Sequence, residues 1–387
     1  MIRIGMVGSG FAAKLHLDSY RRIGVQDTAV TAICSKDADL GQVAEQYGIP
    51  RTYGDLEQLL GDPDIDVVDI ITPPALHEDM IVRAMRAGKD VICEKPLTGF
   101  FAPAMDEAGV PVPRSEMLAK AEASLKAIGT AMQETGKRLY YAENYVYAPS
   151  VQKCAQFIRL KKSRILLIKG EESHSGSHAV HAPYWKLNGG GALIRQGCHP
   201  LSAALYLKAV EGEVRGESIR PVSVTAVTGC LSDMLQGEEH RYIHAHPVDV
   251  EDFADVLITF SDGSIAQILA SDNTVGGTRN NMEVFTNEGQ YQCNIAPNDA
   301  LMVYHENDEH LDEIYMTEKL GQKAGWQPIF LEETVMRGYL SELQDFLYCL
   351  KTGAEPASGF PLAYDAIRVI YAAYRSAQEG RAVRLED

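Results

Sequence analysis

Residues 2–13 read IRIGMVGSGFAA, and this stretch decides the fold of the first part of the chain. The apolar run Ile2 to Val7 predicts a buried strand, and the residues after Gly10 have the apolar spacing of a helix. A strand, a glycine turn and a helix form the context of the dinucleotide-binding fingerprint. There Gly8 permits the tight turn, and Gly10 lets the backbone approach a pyrophosphate at the helix start. We therefore expect Gly8, Gly10, Phe11 and Ala12 to bind a dinucleotide.

Strand and helix patterns then alternate as far as residue 145, which predicts a parallel, doubly wound sheet of the Rossmann type. After residue 145 the pattern changes to six strand candidates with hairpin turns between them, followed by a helical tail. We expect an α/β protein with two domains. Residues 1–145 would bind the dinucleotide, and residues 146–387 would form an α+β domain with a large, open, mostly antiparallel sheet. The C-terminal helices could pack back on the first domain.

Composition and charge exclude several classes of protein. The chain has 387 residues, of which 45% are hydrophobic and 23% charged, as in ordinary folded proteins. Its net charge of -17 argues against a nucleic-acid partner. No apolar stretch is long enough for a membrane helix, so we expect no membrane partner. The seven cysteines are scattered and never form a CxxC pair, which favours the reducing cytoplasm.

The residues after the second predicted strand bear on the choice of cofactor. A carboxylate at this place accepts hydrogen bonds from the ribose 2'-hydroxyl and repels a 2'-phosphate. Ser35 and Lys36 could instead bind the 2'-phosphate of NADP, and they slightly favour NADP as the cofactor. Asp37 could still serve NAD if the turn brings it inward, so both cofactors stay open.

Two further segments lie at the carboxyl ends of predicted strands, the edge where open parallel sheets bind ligands. The first contains Thr72, Pro73 and His77. The second contains Glu94 and Lys95 followed by a proline, with Glu94 placed to orient the lysine ammonium. We expect all five residues to line the cofactor site.

Together these strings resemble the Gfo/Idh/MocA family of oxidoreductases, named after glucose-fructose oxidoreductase, inositol dehydrogenase and MocA. The resemblance includes the Glu94-Lys-Pro96 string, the run from Gly189 to His199, Val250 to Ala254 and Tyr364 to Tyr374. It implies an NAD(P)-dependent enzyme that acts on a hydroxyl of a sugar, polyol or sugar acid. It also implies a homo-oligomer, a dimer or tetramer, formed through the C-terminal sheet.

The resemblance assigns roles to single residues. Lys95 and His199 match the catalytic lysine and histidine of the family, and both would contact the substrate. The substrate pocket would also contain Asn144, Tyr147, His174 and Trp185.

The chain departs from the family pattern at two positions. The family usually has an aspartate four residues before the histidine and another three after it, where this chain has Arg195 and Ser202. Arg195 could clamp a substrate carboxylate, which would favour a sugar acid, or could pair with a local acid. We include Arg195 among the residues expected to bind the substrate.

Three alternatives accompany this interpretation. His174, His178 and His181 could bind zinc, but polar sugar-binding residues are expected there and no metal is expected. The enzyme could retain its cofactor and give a net redox-neutral reaction. The missing aspartates also leave open a non-catalytic sensor that binds NAD(P), although the presence of both Lys95 and His199 argues against it.

Overall fold

The computed structural model describes residues 1–23, 27–105, 109–238, 241–296, 301–309, 323–328 and 332–385. The first part of the chain alternates strands and helices. Its elements are β1 Ile2–Val7, α1 Phe11–Ile23, β2 Thr28–Cys34, α2 Leu40–Tyr47, β3 Arg51–Tyr53, α3 Leu56–Leu60, β4 Val67–Ile70, α4 His77–Arg86, β5 Asp90–Glu94, α5 Arg114–Thr135 and β6 Leu139–Ala142.

These six strands form one parallel sheet in the order β3-β2-β1-β4-β5-β6. The order reverses between β1 and β4, and doubly wound sheets bind their ligands at this switch point. Strands β1, β4 and β5 are buried over most of their length because helices cover both faces. The predicted Rossmann sheet is confirmed, and β3 is a short edge strand that the apolar pattern missed.

The second part of the chain is built around a larger sheet. Its elements are α6 Pro149–Lys161, β7 Ile165–Ser173, α7 Trp185–Asn188, α8 Cys198–Arg215, β8 Pro221–Gly229, β9 Phe253–Phe260, β10 Ile265–Ser271, β11 Arg279–Thr286, β12 Gln290–Asn294, β13 Met302–His305, β14 Gly325–Pro328, α9 Glu333–Met336, α10 Tyr339–Thr352, α11 Phe360–Glu379 and β15 Val383–Arg384.

The larger sheet has the order β12-β11-β7-β10-β9-β8-β15, and only β7 and β10 run parallel among the described strand pairs. This confirms the mostly antiparallel second sheet. All six strand candidates are present, and β15 adds an edge strand from the end of the chain. Helix α8 covers the inner face of the sheet, where Gly170 of β7 leaves room for Pro200.

The C-terminal helices pack against helices of the first sheet. Helix α11 packs on α5, where Arg368 donates to Glu122 at 3.0 Å, and α10 packs on α1. The helical tail that the sequence predicted is interrupted at Gly338, which has φ 95°. A Cβ atom there would lie 2.2 Å from the carbonyl oxygen of Asn144, so only glycine fits this close approach. Within the described residues, the structure has no helix with the length and apolar character needed to span a bilayer.

A buried histidine ties α1 to the centre of the first sheet. His16 is fully buried, and its Nδ1 lies 2.9 Å from Asp69 Oδ2 while its Nε2 lies 3.2 Å from Glu94 Oε1. Burial alone would lower the pKa of His16, but the two carboxylates raise it well above its ordinary value. The imidazolium form therefore holds one residue of β4 and one of β5 together.

This network predicts how stability depends on pH. The pKa of His16 is raised in the folded state, so its contribution is fully present below its ordinary pKa and is lost as pH rises through the folded value. We expect the free energy of unfolding to fall from neutral to alkaline pH. His16→Gln should lower it by about 3 kcal/mol at pH 7 and remove most of this pH dependence.

Denaturant unfolding at several pH values measures both effects. His246→Gln, at an exposed histidine, is the matched control. An unchanged pH dependence in His16→Gln would show that the imidazolium does not provide this stability.

Candidate active site

The glycine turn has the shape that a dinucleotide requires. Gly8 has φ 117°, and a Cβ atom there would lie 2.1 Å from the carbonyl oxygen of Ile71. A Cβ atom on Gly10 would meet nothing within 4 Å, and α1 begins at the next residue, Phe11. The turn therefore leaves open space in front of the backbone N–H groups of a helix start, where a pyrophosphate fits.

Asp37 lies beside this turn. Its Oδ2 accepts hydrogen bonds from Ser9 Oγ at 2.6 Å and Ser35 Oγ at 2.8 Å. These two bonds hold the pKa of the Asp37 carboxyl below its usual range. Lys36 is exposed. The turn after β2 thus brings a charged carboxylate to the glycine turn.

His77 connects the two other predicted cofactor segments. Its Nε2 lies 2.9 Å from the carbonyl oxygen of Thr72, and its Nδ1 lies 2.9 Å from that of Pro96. Burial lowers the pKa of His77 despite these two acceptors. His77 therefore braces the Thr72-Pro73 loop against the segment after β5 and does not face open space.

Lys95 follows β5 of the first sheet and reaches the segment before α8. Its Nζ donates to the carbonyl oxygen of Arg195 at 2.6 Å, and its peptide bond to Pro96 is cis. Glu94 Oε2 accepts from the backbone N–H of Lys95 at 2.9 Å, so it holds the backbone and not the ammonium as we expected. Burial alone would lower the pKa of Lys95, but Cys198 and nearby glutamates raise it above its ordinary value. The ammonium is therefore charged at neutral pH.

His199 is positioned by a residue that our sequence reasoning missed. Its Nδ1 lies 2.5 Å from Glu143 Oε1, and the Tyr145 ring stacks on the imidazole with centroids 4.6 Å apart. Glu143 is fully buried and begins the short 3-10 turn Asn144–Tyr147 after β6. Since Glu143 engages Nδ1, the other ring nitrogen, Nε2, is left for a substrate.

Glu143, Cys198 and His199 bring potential metal-ligand atoms within 4.8 Å of one another. Ligands of one zinc ion lie about 2.0 Å from it and thus about 3.3 Å from each other. The 2.5 Å separation of Glu143 and His199 is shorter than this and describes a hydrogen bond. His174, His178 and His181 have separate neighbours, namely Asp272, His244 and Asn188.

The side chains of three residues predicted to line the substrate pocket form hydrogen bonds with other segments of the chain. The side-chain amide of Asn144 donates to the carbonyl oxygen of Arg337 at 2.8 Å, and the Tyr147 hydroxyl donates to Asp345 at 2.7 Å. The Trp185 indole donates to the carbonyl oxygen of Phe100 at 3.0 Å. The polar groups of Asn144, Tyr147 and Trp185 thus join separate segments of the chain, and their contact with a substrate stays a prediction.

Arg195 also differs from the substrate clamp that we considered. Its guanidinium forms an ion pair with Asp272, which also accepts from Gln196 at 3.0 Å. His174 Nδ1 lies 3.5 Å from the same aspartate. Arg195 thus pairs with a local acid, as the alternative interpretation expected. Its side chain also lines a cavity of about 320 Å³, together with His178 and His244.

Comparison with known proteins agrees with this geometry. The model described as "Oxidoreductase family, NAD-binding Rossmann fold" matches residues 2–107, and the "GFO/IDH/MocA C-terminal domain" matches residues 164–292. The chain belongs to the Gfo/Idh/MocA family. It is an NAD(P)-dependent oxidoreductase of this family, as the resemblance implied.

Relatives of this Gfo/Idh/MocA oxidoreductase include two named dehydrogenases. Levoglucosan dehydrogenase of Pseudarthrobacter phenanthrenivorans is 26% identical over 80% of this chain and 77% of its own length. Myo-inositol 2-dehydrogenase of Thermotoga maritima is 24% identical over 100% of this chain and 99% of its own. The solved structure of GenD2 from gentamicin A biosynthesis in complex with NAD has a TM-score of 0.80 at 22% identity, covering 100% of this chain and 97% of that one. This last likeness shows the fold.

The two glycines of the turn predict different effects of adding a methyl group. Gly8→Ala forces a side chain into positive φ and against Ile71, so it should destabilise the fold by about 2 kcal/mol or more. Gly10→Ala adds a methyl group in open space and should leave stability unchanged. It should weaken dinucleotide binding about tenfold, because the methyl group stands where the pyrophosphate approaches.

Thermal unfolding without ligand and titration with the dinucleotide separate the two effects. Unchanged dinucleotide affinity in Gly10→Ala would place the pyrophosphate elsewhere. Unchanged stability in Gly8→Ala would contradict the close approach to Ile71.

Proposed function

We propose that this oxidoreductase acts on a hydroxyl-bearing carbon of a sugar or polyol, with Lys95 and His199 as the catalytic residues. The observation that carries the proposal is the bond from Lys95 Nζ to the carbonyl oxygen of Arg195, at 2.6 Å. It joins the end of β5 to the π-helical turn Leu193–Gly197, which leads directly to His199. Levoglucosan and myo-inositol, the substrates in the names of two relatives, support this substrate class.

His199 suits the role of proton acceptor. Glu143 accepts a hydrogen bond from Nδ1–H, and the neutral imidazole tautomer with this hydrogen has its lone pair on Nε2. Tyr145 stacks on one face of the imidazole and limits its rotation. Both contacts fix the direction of Nε2 before the substrate arrives, so little reorganisation is needed for proton transfer.

Lys95 complements this role as a charged donor. Because its pKa is raised above the ordinary value, it remains an ammonium and does not take up the substrate proton. From its position between the domains it donates a hydrogen bond to the substrate oxygen and stabilises negative charge there as the proton leaves. A bound nicotinamide dinucleotide supplies the hydride acceptor.

The placement of Asp37 supports NAD as the cofactor. This differs from the sequence-based expectation, in which Ser35 and Lys36 slightly favoured NADP. A carboxylate with a lowered pKa beside the glycine turn can accept from both ribose hydroxyls and repels a 2'-phosphate. Ser9 and Ser35 both donate to this carboxylate and hold it in place. Lys36 is exposed and serves neither group in this proposal.

The outer face of the second sheet supports a homo-oligomer, as the resemblance implied. Val227 of β8, Leu257 of β9 and Ile265 of β10 are 64%, 44% and 41% exposed. They lie on neighbouring strands and on the face opposite α8. Apolar side chains grouped in this way favour burial against a second copy of the chain.

Lys95→Met tests the catalytic assignment. Methionine keeps most of the side-chain volume but lacks the charge, so turnover of the sugar or polyol should fall about 100-fold to 10,000-fold. Dinucleotide affinity, measured by NADH fluorescence, should change little because the glycine turn is untouched. Lys153→Met, at an exposed lysine, is the control. Loss of dinucleotide affinity in Lys95→Met would mean that the lysine serves the cofactor and not the reaction.

Asp37→Ser tests the cofactor assignment. Without the carboxylate, kcat/KM with NAD should fall about tenfold and kcat/KM with NADP should rise by a similar factor. Lys36→Ser should leave both values nearly unchanged. A wild-type preference for NADP that Lys36→Ser abolishes would show that Lys36, and not Asp37, selects the cofactor.

A further inference from the structure

We propose that Glu172 and Asn280 form a subsite for a protonated amino group, so that the substrate is an amino sugar or amino polyol. The subsite rests on the proposed function, because it places this group beside Lys95 and His199. It replaces the sugar acid that Arg195 suggested.

Glu172 and Asn280 are neighbours on the inner face of the second sheet. Glu172 of β7 pairs directly with Asn280 of β11, and they are 7% and 2% exposed. Side chains of directly opposed residues lie on the same face, with Cβ atoms about 5 Å apart. The inner face of β7 otherwise presents Ile168 and Gly170, so this polar pair interrupts an apolar surface.

Both side chains have buried polar atoms without a partner. Among the described residues, no hydrogen-bond partner reaches Asn280 Oδ1, Asn280 Nδ2 or Glu172 Oε2, and the Tyr145 hydroxyl is a neighbour that interacts with the Glu172 carboxylate. Buried polar atoms in folded proteins are nearly always satisfied, because leaving them without a hydrogen bond costs stability. A group from a ligand that donates several hydrogen bonds would satisfy the two oxygens.

The pair lies close to the reacting groups. The charge of Glu172 acts on Lys95 and Cys198 and raises the pKa of both. After burial, Glu172 is also the strongest cause of the raised pKa of Tyr145, whose ring stacks on His199. Gly170, two residues before Glu172 on the same face of β7, lies against Pro200, the residue after His199. A substrate held by Glu172 would therefore lie beside the segment that carries His199.

The charges around the site favour a cation over an anion. Glu94, Glu143 and Glu172 all act on Lys95. Two other cations in this region have carboxylates of their own, since Arg195 pairs with Asp272 and Arg337 with Glu333. A substrate carboxylate would add to the negative charge, whereas an ammonium compensates it. An ammonium also donates three hydrogen bonds where a hydroxyl donates one, which suits a site with several acceptors.

The experiment compares D-glucosamine, D-glucose and D-glucuronate as probes of cationic, neutral and anionic substrates at pH 6.5. We expect the full-length wild type with NAD to give a kcat/KM for glucosamine at least about tenfold above the other two. Glu172→Gln should lower the glucosamine value about 30-fold and change the glucose value less than about threefold. Glu171→Gln is the matched control, because the adjacent Glu171 pairs with Arg279 on the other face of β7.

Equal rates for glucosamine and glucose, or a uniform loss of all three in Glu172→Gln, would overturn the subsite while the sugar dehydrogenase stands. If none of the three probes is oxidised, calorimetry measures their binding to the NAD-loaded protein. Tighter binding of glucosamine that is lost in Glu172→Gln would then support the subsite and contradict the proposed oxidation. Absence of this preference in binding would overturn the subsite as well.

Discussion

The imidazolium of His16 is the interaction on which the geometry of the site depends. It binds Asp69 in β4 and Glu94 in β5, and Glu94 in turn accepts the backbone N–H of Lys95. Because Lys95 Nζ reaches the carbonyl oxygen of Arg195, the position of α1 is transmitted to the segment that carries His199. A buried cation with two carboxylates is costly to disrupt, since either partner alone would be left charged and unpaired. Folding stability and alignment of the two domains therefore depend on the same set of bonds.

Two carboxylates from other parts of the chain lie against His199 and Arg195. Glu143, on the turn after β6, forms a hydrogen bond with Nδ1 of His199. Asp272, after β10, forms an ion pair with Arg195. Ser202 is fully buried on α8 and is not part of these contacts. Loss of both aspartates from the α8 segment thus leaves the histidine oriented and the arginine paired. This removes the main physical reason to expect a non-catalytic homologue, and it also removes the main support for an acidic substrate.

Much of the fold could be predicted from local sequence, because a buried parallel strand and a helix after a glycine turn each have their own pattern. The same holds for the tight turn at Gly8, whereas the roles of Lys95 and His199 follow from the family resemblance and stay predictions. Local sequence says less about side chains whose contacts join distant segments. Asn144 and Tyr147 were expected in the pocket from their position after β6, yet Arg337 and Asp345, almost 200 residues later, hold their polar groups. The helix break at Gly338, between α9 and α10, also depends on a distant segment. The carbonyl oxygen of Asn144 lies against Gly338, and this contact is visible only in the packed structure.

One signal for the missed residues was nevertheless present in the sequence. Side chains on a strand alternate between faces, so Ile168, Gly170 and Glu172 share the inner face of β7, and Asn280 shares it with Met282 on β11. A charged or amide side chain at an inner position conflicts with the apolar pattern around it. Such a conflict reduces stability unless a partner compensates, and it is expected mainly where function requires it. Once the structure extends β7 to Ser173 and begins β11 at Arg279, strand parity places Glu172 and Asn280 at inner positions.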